Sequence, residues 1–278
     1  MEREWLLKEY VEDRFGVSEL KPLGEHGRAL LVRTGDSLFV VKTLVSHGKW
    51  NRYVWAREFL EEKGVNVPKA EFPPESIPHQ GLFLVFEEYI PGFPLFALRR
   101  PSSSVIEGVV RGIRTIHSIE SDRWGPFTKS MKKKGFFKRH LRKIERWASG
   151  DPRLQREISG KGWIKKLVKK LEKEVKVYQM THGDLQGKNI ILWGNKTYFI
   201  DLVRSGFGSY AKDLARLDVW ERRTWGTRTL FHDYVNSVRD PLLEEKLKLF
   251  FLGEFVKRRE VEWIRDALWR LLDKEELP

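Results

Sequence analysis

The sequence predicts an α+β protein of two lobes, a small β-rich first lobe and a larger helical second one. Three observations lead there. Apolar stretches bounded by Gly and Pro fill the first third, amphipathic helical stripes dominate from about residue 94, and the chain, at 278 residues, is long enough to bury two cores. We expect a first lobe over residues 1–90, a five-stranded sheet with a helix, and a second lobe over 91–278 that includes a basic helical insertion over 119–180. The crossover falls near residues 87–93.

Residues 2–15, EREWLLKEYVEDRF, carry Trp5, Leu6, Tyr10 and Val11 at helical spacing, with Gly16 as a stop. LGEHGRALLVRTGDSLFVVKTL then reads as a strand ending near Leu23, a turn at Gly24 to Gly27, a strand ALLVR, a turn at Gly35 and Asp36, and a strand SLFVVKTL. Residues 51–63 return to helix, with Val54, Trp55, Phe59 and Leu60 expected on one inward face and Gly64 as the stop. EFPPESIPHQ reads as a Pro-rich connection, and GLFLVFEEYI as a strand ended by IPGFPL. Ser104 to Glu107 forms a predicted capping box for the helix SVIEGVVRGIRTIH. Two further stripes, Phe137, Leu141 and Ile144, then Ile164, Leu167, Val168, Leu171 and Val175, face lysines and arginines on the opposite side of their helices. Residues 211–278 are again helical in pattern.

Composition excludes several classes. There is no cysteine, so disulfides, thiolate metal sites and cysteine nucleophiles are ruled out together. No apolar run approaches a membrane span and the first thirty residues are charged throughout, so a soluble, cytoplasmic protein is the expectation. Only 3 Met and 33% charged residues lean toward a heat-adapted source. Residues 128–177 hold 18 of the 52 basic residues and five of the 39 acidic ones, so this one segment carries the whole net charge of +13. Such a field draws anions.

The chemistry is concentrated in THGDLQGKNIILWGNKTYFIDLVRSG, residues 181–206. A loop aspartate, Asp184, can accept a hydroxyl proton. Asn189 offers a neutral oxygen to a metal and Asp201, after a hairpin-like stretch, a charged one. His182 is expected to hold the loop by hydrogen bonding. Alone, each of these is a turn or cap residue, and a strand lysine such as Lys42 would sit at an edge. It is the ordered set that points to phosphoryl transfer.

The spacing His-x-Asp-x-x-x-x-Asn followed by Ile-Asp resembles the catalytic and metal-binding loops of protein-kinase-like phosphotransferases. HGDL with the later GFGSYAKDLARL is similar to the aminoglycoside phosphotransferase and choline kinase type, and Ile200 to Arg204 also resembles lipopolysaccharide-core sugar kinases. The resemblance spans roughly residues 20–215. It implies ATP and Mg²⁺ as cofactors, Lys42 as the residue holding the nucleotide's phosphates, and Glu58 as the helix acid holding Lys42. It further implies a glycine loop at Gly24 and Gly27, an adenine-binding hinge at Glu88, Tyr89 and Ile90, and a backbone-bonding role for Asp213. Asp184 becomes the base, and Asn189 and Asp201 the metal ligands. Asp201 is followed by Leu-Val in place of Phe-Gly, and the loop Gly24-Glu25-His26-Gly27 lacks the three-glycine pattern of protein kinases.

In that family type the helices before the catalytic loop line the acceptor site, and here they carry the excess charge. The expected acceptor is therefore a small anionic one, a sugar, phosphosugar or lipid-linked sugar, with Lys165, Lys166, Lys169 and Arg204 as candidate contacts. A polycationic aminoglycoside would be repelled. The alternative is a macromolecular acceptor, RNA or protein, docked on the 128–177 face, and the same charge would support peripheral contact with acidic surfaces.

Overall fold

The computed structural model describes residues 2–23, 28–35, 37–77, 81–126 and 131–277. In chain order the elements are α1 (Glu2–Phe15), β1 (Glu19–Leu23), β2 (Ala29–Thr34), β3 (Ser37–Thr43), α2 (His47–Glu62), β4 (Ala70–Ile77), β5 (Leu82–Glu88), β6 (Phe93–Pro94), α3 (Ser103–His117), β7 (Glu120–Ser121), α4 (Phe136–Ala148), α5 (Pro152–Gly160), α6 (Gly162–Glu174), β8 (Tyr178–Thr181), β9 (Ile190–Trp193), β10 (Lys196–Phe199), β11 (Gly206–Gly208), α7 (Ala211–Thr224), α8 (Thr229–Asn236), α9 (Leu243–Lys257) and α10 (Glu262–Lys274). The mixed α/β composition, antiparallel strands first and helices after, is the one the sequence predicts. The chain divides into two compact units, Met1–Ala97 with Lys188–Ser205, and Leu98–Gly187 with Gly206–Pro278.

In the first unit the five-stranded sheet runs β1-β2-β3-β5-β4, antiparallel throughout. Leu7 and Val11 of α1, one helical turn apart, pack on Leu30 and Val32, Phe39 and Val41, and Leu82, Leu84 and Phe86. The sequence placed Trp5 on this stripe, yet Trp5 is 60% exposed and Leu7 takes the inward position. The Pro-rich stretch expected as a connection is in fact the edge strand β4. Its prolines, Pro73 and Pro74, are tolerated because the register against β5 shifts between Phe72 and Glu75, where they lie, and because an edge needs only one side paired. The hairpin β9–β10 joins this unit through β6, whose Gly92 neighbour lies so close to the Leu192 carbonyl that a Cβ there would clash with it.

In α2 the expected phase is wrong in a way that matters. The buried side chains are Tyr53, Ala56, Arg57 and Leu60, while Trp55 is exposed. Two bulky apolar residues, Val54 and Trp55, suggested an inward face that the helix does not use, because two polar side chains occupy it.

The second unit is built round α9, whose residues from Leu249 to Val256 are all buried. It packs against α7, α4, α10 and α6. The inward stripes of α4 and α6 include Phe137, Ile144, Ile164, Leu167, Val168 and Leu171, as the 3.6-residue period predicts. Helix α4 starts at Gly135 without a side-chain cap of its own, and Glu172 of α6 accepts the Gly135 and Lys138 amides at 2.9 Å each. The cap of α3 is Ser102, accepting from the Val105 amide, two residues before the predicted capping box. A small sheet β11-β8-β7 completes the unit. Among the described residues no helix is long and apolar enough to cross a membrane.

Candidate active site

The first unit assembles a lysine, a tyrosine and a glutamate on one sheet face. Lys42 lies opposite Val85 in the β3–β5 ladder, and Val40 lies opposite Glu87, so Lys42 and Glu87 are diagonal neighbours on the same face. Lys42 Nζ pairs with Glu87 at 2.5 Å and lies 3.2 Å from the Tyr53 hydroxyl, which itself donates to Glu87. The Glu87 side chain is 1% exposed and that of Lys42 19% exposed, so the acid is sealed in the core and the lysine is not. Burial raises the Tyr53 pKa well above its usual value, and the Glu87 charge and hydrogen bond add to it, so Tyr53 is a fixed neutral donor.

The expected partner of Lys42, Glu58, is not brought to it. Glu58 points outward, its side chain 57% exposed, and touches Arg57 at 3.5 Å. The physical reason is the phase of α2: with Tyr53 and Arg57 inward, position 58 turns to solvent, and the carboxylate comes from the neighbouring strand.

The hairpin β9–β10 brings the two candidate metal ligands together. Phe199 pairs with Ile190, and the Ile200 amide donates to the Asn189 carbonyl at 3.0 Å, so Asn189 and Asp201 flank the hairpin's open end. Asn189 is buried. Asp201 has φ 62° and ψ 55°, a left-handed conformation that a non-glycine residue adopts at a cost, and that is commonly kept where a side chain must be aimed. Helix α2 packs on the turn that follows, residues 202–204. Arg204, in that turn, is exposed. At the candidate hinge the Glu88 amide donates to the Lys69 carbonyl and its carboxylate accepts the Lys69 amide, while Tyr89 and Ile90 lie beyond the end of β5. Gly24 and Gly27 lie outside the described residues.

In the second unit a loop is held from below by one acid. Asp213, at the start of α7 and fully buried, accepts the His182 amide at 2.7 Å and the Gly183 amide at 2.9 Å. His117 meets it at 3.3 Å through Nε2 and meets the Tyr234 hydroxyl at 2.8 Å through Nδ1. Burial works to raise the Asp213 pKa, but the His117 hydrogen bond and charge, with Lys212 and His182, hold it below the usual carboxylate value. The buried His182 ring takes the Asp184 amide on Nδ1 at 3.3 Å, a bond inside the loop, as expected of it. Asp184 Oδ1 accepts from Gln186 at 2.9 Å and pairs with Arg216 Nε at 2.8 Å. Lys165, Lys166 and Lys169 are exposed on α6, in the same unit.

With this geometry in hand, the comparisons are specific. The family model described as the phosphotransferase enzyme family, APH, matches residues 24–249. The chain belongs to that family. Its fold is also that of solved kinase-like structures: a thermostable mutant of aminoglycoside phosphotransferase APH(4)-Ia in ternary complex with AMP-PNP and hygromycin B (TM-score 0.74, 15% identity, covering 96% of this chain and 97% of that one) is one. Others are choline kinase LicA from Streptococcus pneumoniae (TM-score 0.62, 18% identity, 99% and 92%) and a putative fructosamine-3-kinase from Haemophilus somnus 129PT (TM-score 0.65, 16% identity, 97% of each). Among curated protein sequences none matches.

For this phosphotransferase, sequence reasoning missed three side chains. Glu87 was passed over because it precedes the hinge, although the strand's two-residue period puts it on the face of Lys42 once the register is known. Tyr53 was hidden by the phase of α2. Arg216 had a legible signal: it follows Asp213 by three positions on α7, hence on the same helix face under the loop of His182 to Asp184.

Proposed function

We propose that this phosphotransferase moves the γ-phosphoryl group of ATP to a hydroxyl of a small anionic acceptor. The observation that carries the nucleotide half is the hairpin that sets Asn189 beside Asp201, in the same unit as a lysine fixed by Glu87 and Tyr53. An amide oxygen and one carboxylate are hard ligands that suit Mg²⁺, which is commonly held by one or two protein oxygens together with phosphate. When bound there, Mg²⁺ would neutralise charge on the transferring phosphate. Lys42 holds the α and β phosphates, and Tyr89 and Ile90 offer backbone groups to the adenine. The complexes of neighbouring structures with AMP-PNP, ADP and AMP favour an adenine nucleotide.

Asp184 takes the acceptor's hydroxyl proton, and Arg216 and Gln186 hold its carboxylate in one orientation so that no time is lost in rotamer search. The acceptor's charge follows from the segment 128–177. Lysines of this segment are spent within the unit, Lys133 on Asp122, Lys161 on Asp273 and Lys170 on Glu245, whereas the stripe of Lys165, Lys166 and Lys169 faces solvent.

The test is a screen of sugars, phosphosugars and tRNA for uptake of labelled phosphate from ATP with Mg²⁺. A small phosphorylated acceptor is the expected hit. Asp184→Asn should lower transfer by at least about 10²-fold while leaving nucleotide bound. Reversing charge at Lys165, Lys166 and Lys169 should raise the acceptor KM and leave the ATP KM alone; unchanged acceptor kinetics would end the anionic reading. Transfer to tRNA with a steep salt dependence would replace it with a macromolecular one.

A further inference from the structure

Arg57 is the one buried charge of the first unit's site that has no established task. Its side chain is 3% exposed, and neither Nε nor Nη1 has a hydrogen-bond partner among the described residues. The remaining nitrogen reaches only Glu58, at 3.5 Å, and that acid is more than half exposed. A guanidinium cannot shed its charge by deprotonation, so burying it with two donors unfilled costs several kcal/mol. Proteins keep such a group where something outside the fold completes it.

Its position says what that partner is. Arg57 lies one turn after Tyr53 on the same face of α2, and Tyr53 bridges to Lys42 and Glu87. The helix is anchored on both sides of this face to the segment carrying Asp201. Arg52 Nη1 donates to the Val203 carbonyl at 3.4 Å, and beyond the other end of α2 the Asn66 carbonyl accepts the Phe199 amide at 2.9 Å. The charges of Asp201 and Arg57 act on Tyr53 in opposite senses, the first raising its pKa and the second lowering it. A buried fork of donors therefore stands one turn from the tyrosine that meets Lys42 and Glu87, at the inward helix face where an acid was expected.

We propose that Arg57 is a phosphate ligand of the nucleotide, a second fixed cation on α2 that works beside Lys42. This rests on the ATP reading above and adds a residue to it. The anion that fits is the di- or triphosphate of the nucleotide, since a guanidinium pairs best with the planar or tetrahedral oxygens of carboxylate and phosphate. The carboxylate that pairs with Lys42 comes from β5 and α2 adds only the Tyr53 hydroxyl, so position 57 of the helix is free to present a cation in place of the expected carboxylate.

The experiment titrates ATP, ADP and adenosine, without acceptor, into the wild type, Arg57→Met, Arg57→Lys and Glu58→Gln, and follows melting temperature in parallel. Arg57→Met should bind ATP and ADP about tenfold or more weakly and adenosine unchanged, with Arg57→Lys in between and Glu58→Gln like the wild type. Without nucleotide, Arg57→Met should melt no lower than the wild type, because an unfilled buried charge has been removed, and its stabilisation by ATP should shrink. ATP affinity within twofold of the wild type in Arg57→Met, or a melting temperature lowered by several degrees in its nucleotide-free form, would overturn the assignment. Absence of ATP binding by the wild type itself would instead sink the nucleotide reading.

Discussion

Each unit of this phosphotransferase contains one cation and carboxylate pair at its functional face, and the two pairs are built in opposite ways. In the first, Lys42, proposed to hold the phosphates, is paired with Glu87 across neighbouring strands. In the second, Asp184, proposed as the base, is paired with Arg216, brought from a helix to a loop. The difference shows in exposure: Glu87 is sealed while Lys42 keeps an open side, whereas the Asp184 and Arg216 side chains are each 10% exposed. A ladder sets its pair by register, and α2 adds one hydroxyl, that of Tyr53, to both members. A loop has no register, so α7 supplies both Asp213 for the backbone and Arg216 for the acid.

The largest effect should come from breaking the strand-borne pair. Glu87→Gln leaves Lys42 with Tyr53 alone and removes a sealed charge partner, so kcat/KM should fall by about 100-fold, while Glu58→Gln, at an exposed position, should stay within about twofold. Equal losses in the two variants would restore Glu58 as the partner. Next comes the loop-borne pair. Arg216→Met should cut kcat about 30-fold and leave ATP affinity unchanged, because it frees the Asp184 carboxylate without touching the first unit. Arg216→Lys should recover part of the loss, since charge returns without the fork. A matching loss of ATP affinity would contradict the separation of roles.

A third probe tests the packing under the loop. A Cβ on the buried Gly187 would run into the ring of Trp220 on α7. Gly187→Ala should therefore destabilise the fold by about 2 kcal/mol and lower kcat, and the double change with Trp220→Leu should restore both. No rescue would mean that Gly187 is needed for its backbone rather than for space.

These contrasts also mark what the sequence could disclose. The approach of Asn189 to Asp201 was legible, because both lie in one short stretch and a hairpin closes the distance between them. The sheet was legible from its two-residue period, except for β4, where Pro73 and Pro74 hid an edge strand. Glu87 was not read, since it pairs with a residue distant in the chain and register is not written locally, whereas Arg216 carried a local signal, its spacing from Asp213, that was passed over. Arg57 and Tyr53 were concealed by a stronger but misleading signal, the apolar bulk of Val54 and Trp55. A site that turns polar residues inward on a helix defeats the amphipathic rule at the place where function needs them.

The smallest effect concerns a buried titratable ring whose Nε2 has no hydrogen-bond partner among the described residues, which sharpens what partners do for the two pairs. His140 on α4 lies against Phe250, ring centroids 4.5 Å apart, and its Nε2 is buried without a hydrogen-bond partner among the described residues. Burial, with the charges of Lys212 and Lys143, pushes its pKa from 6.5 down to about 3. A depressed folded pKa contributes stability that is present above pH 6.5 and is lost as pH falls toward 3, because the unfolded chain takes up a proton that the folded ring refuses. The limiting slope is about 1.4 kcal/mol per pH unit. Glu221 acts against it. Burial lifts its pKa from 4.5 to about 7 despite its bonds from the Leu230 and Phe231 amides, so its contribution is full below pH 4.5 and is lost as pH rises through 7. Between pH 4.5 and 6.5 the two slopes have opposite signs and the wild type should be nearly flat in melting temperature. His140→Leu removes one of them, so the variant should gain stability as the pH is lowered through this window. A variant profile parallel to that of the wild type would show that the His140 ring carries its proton in the folded protein after all.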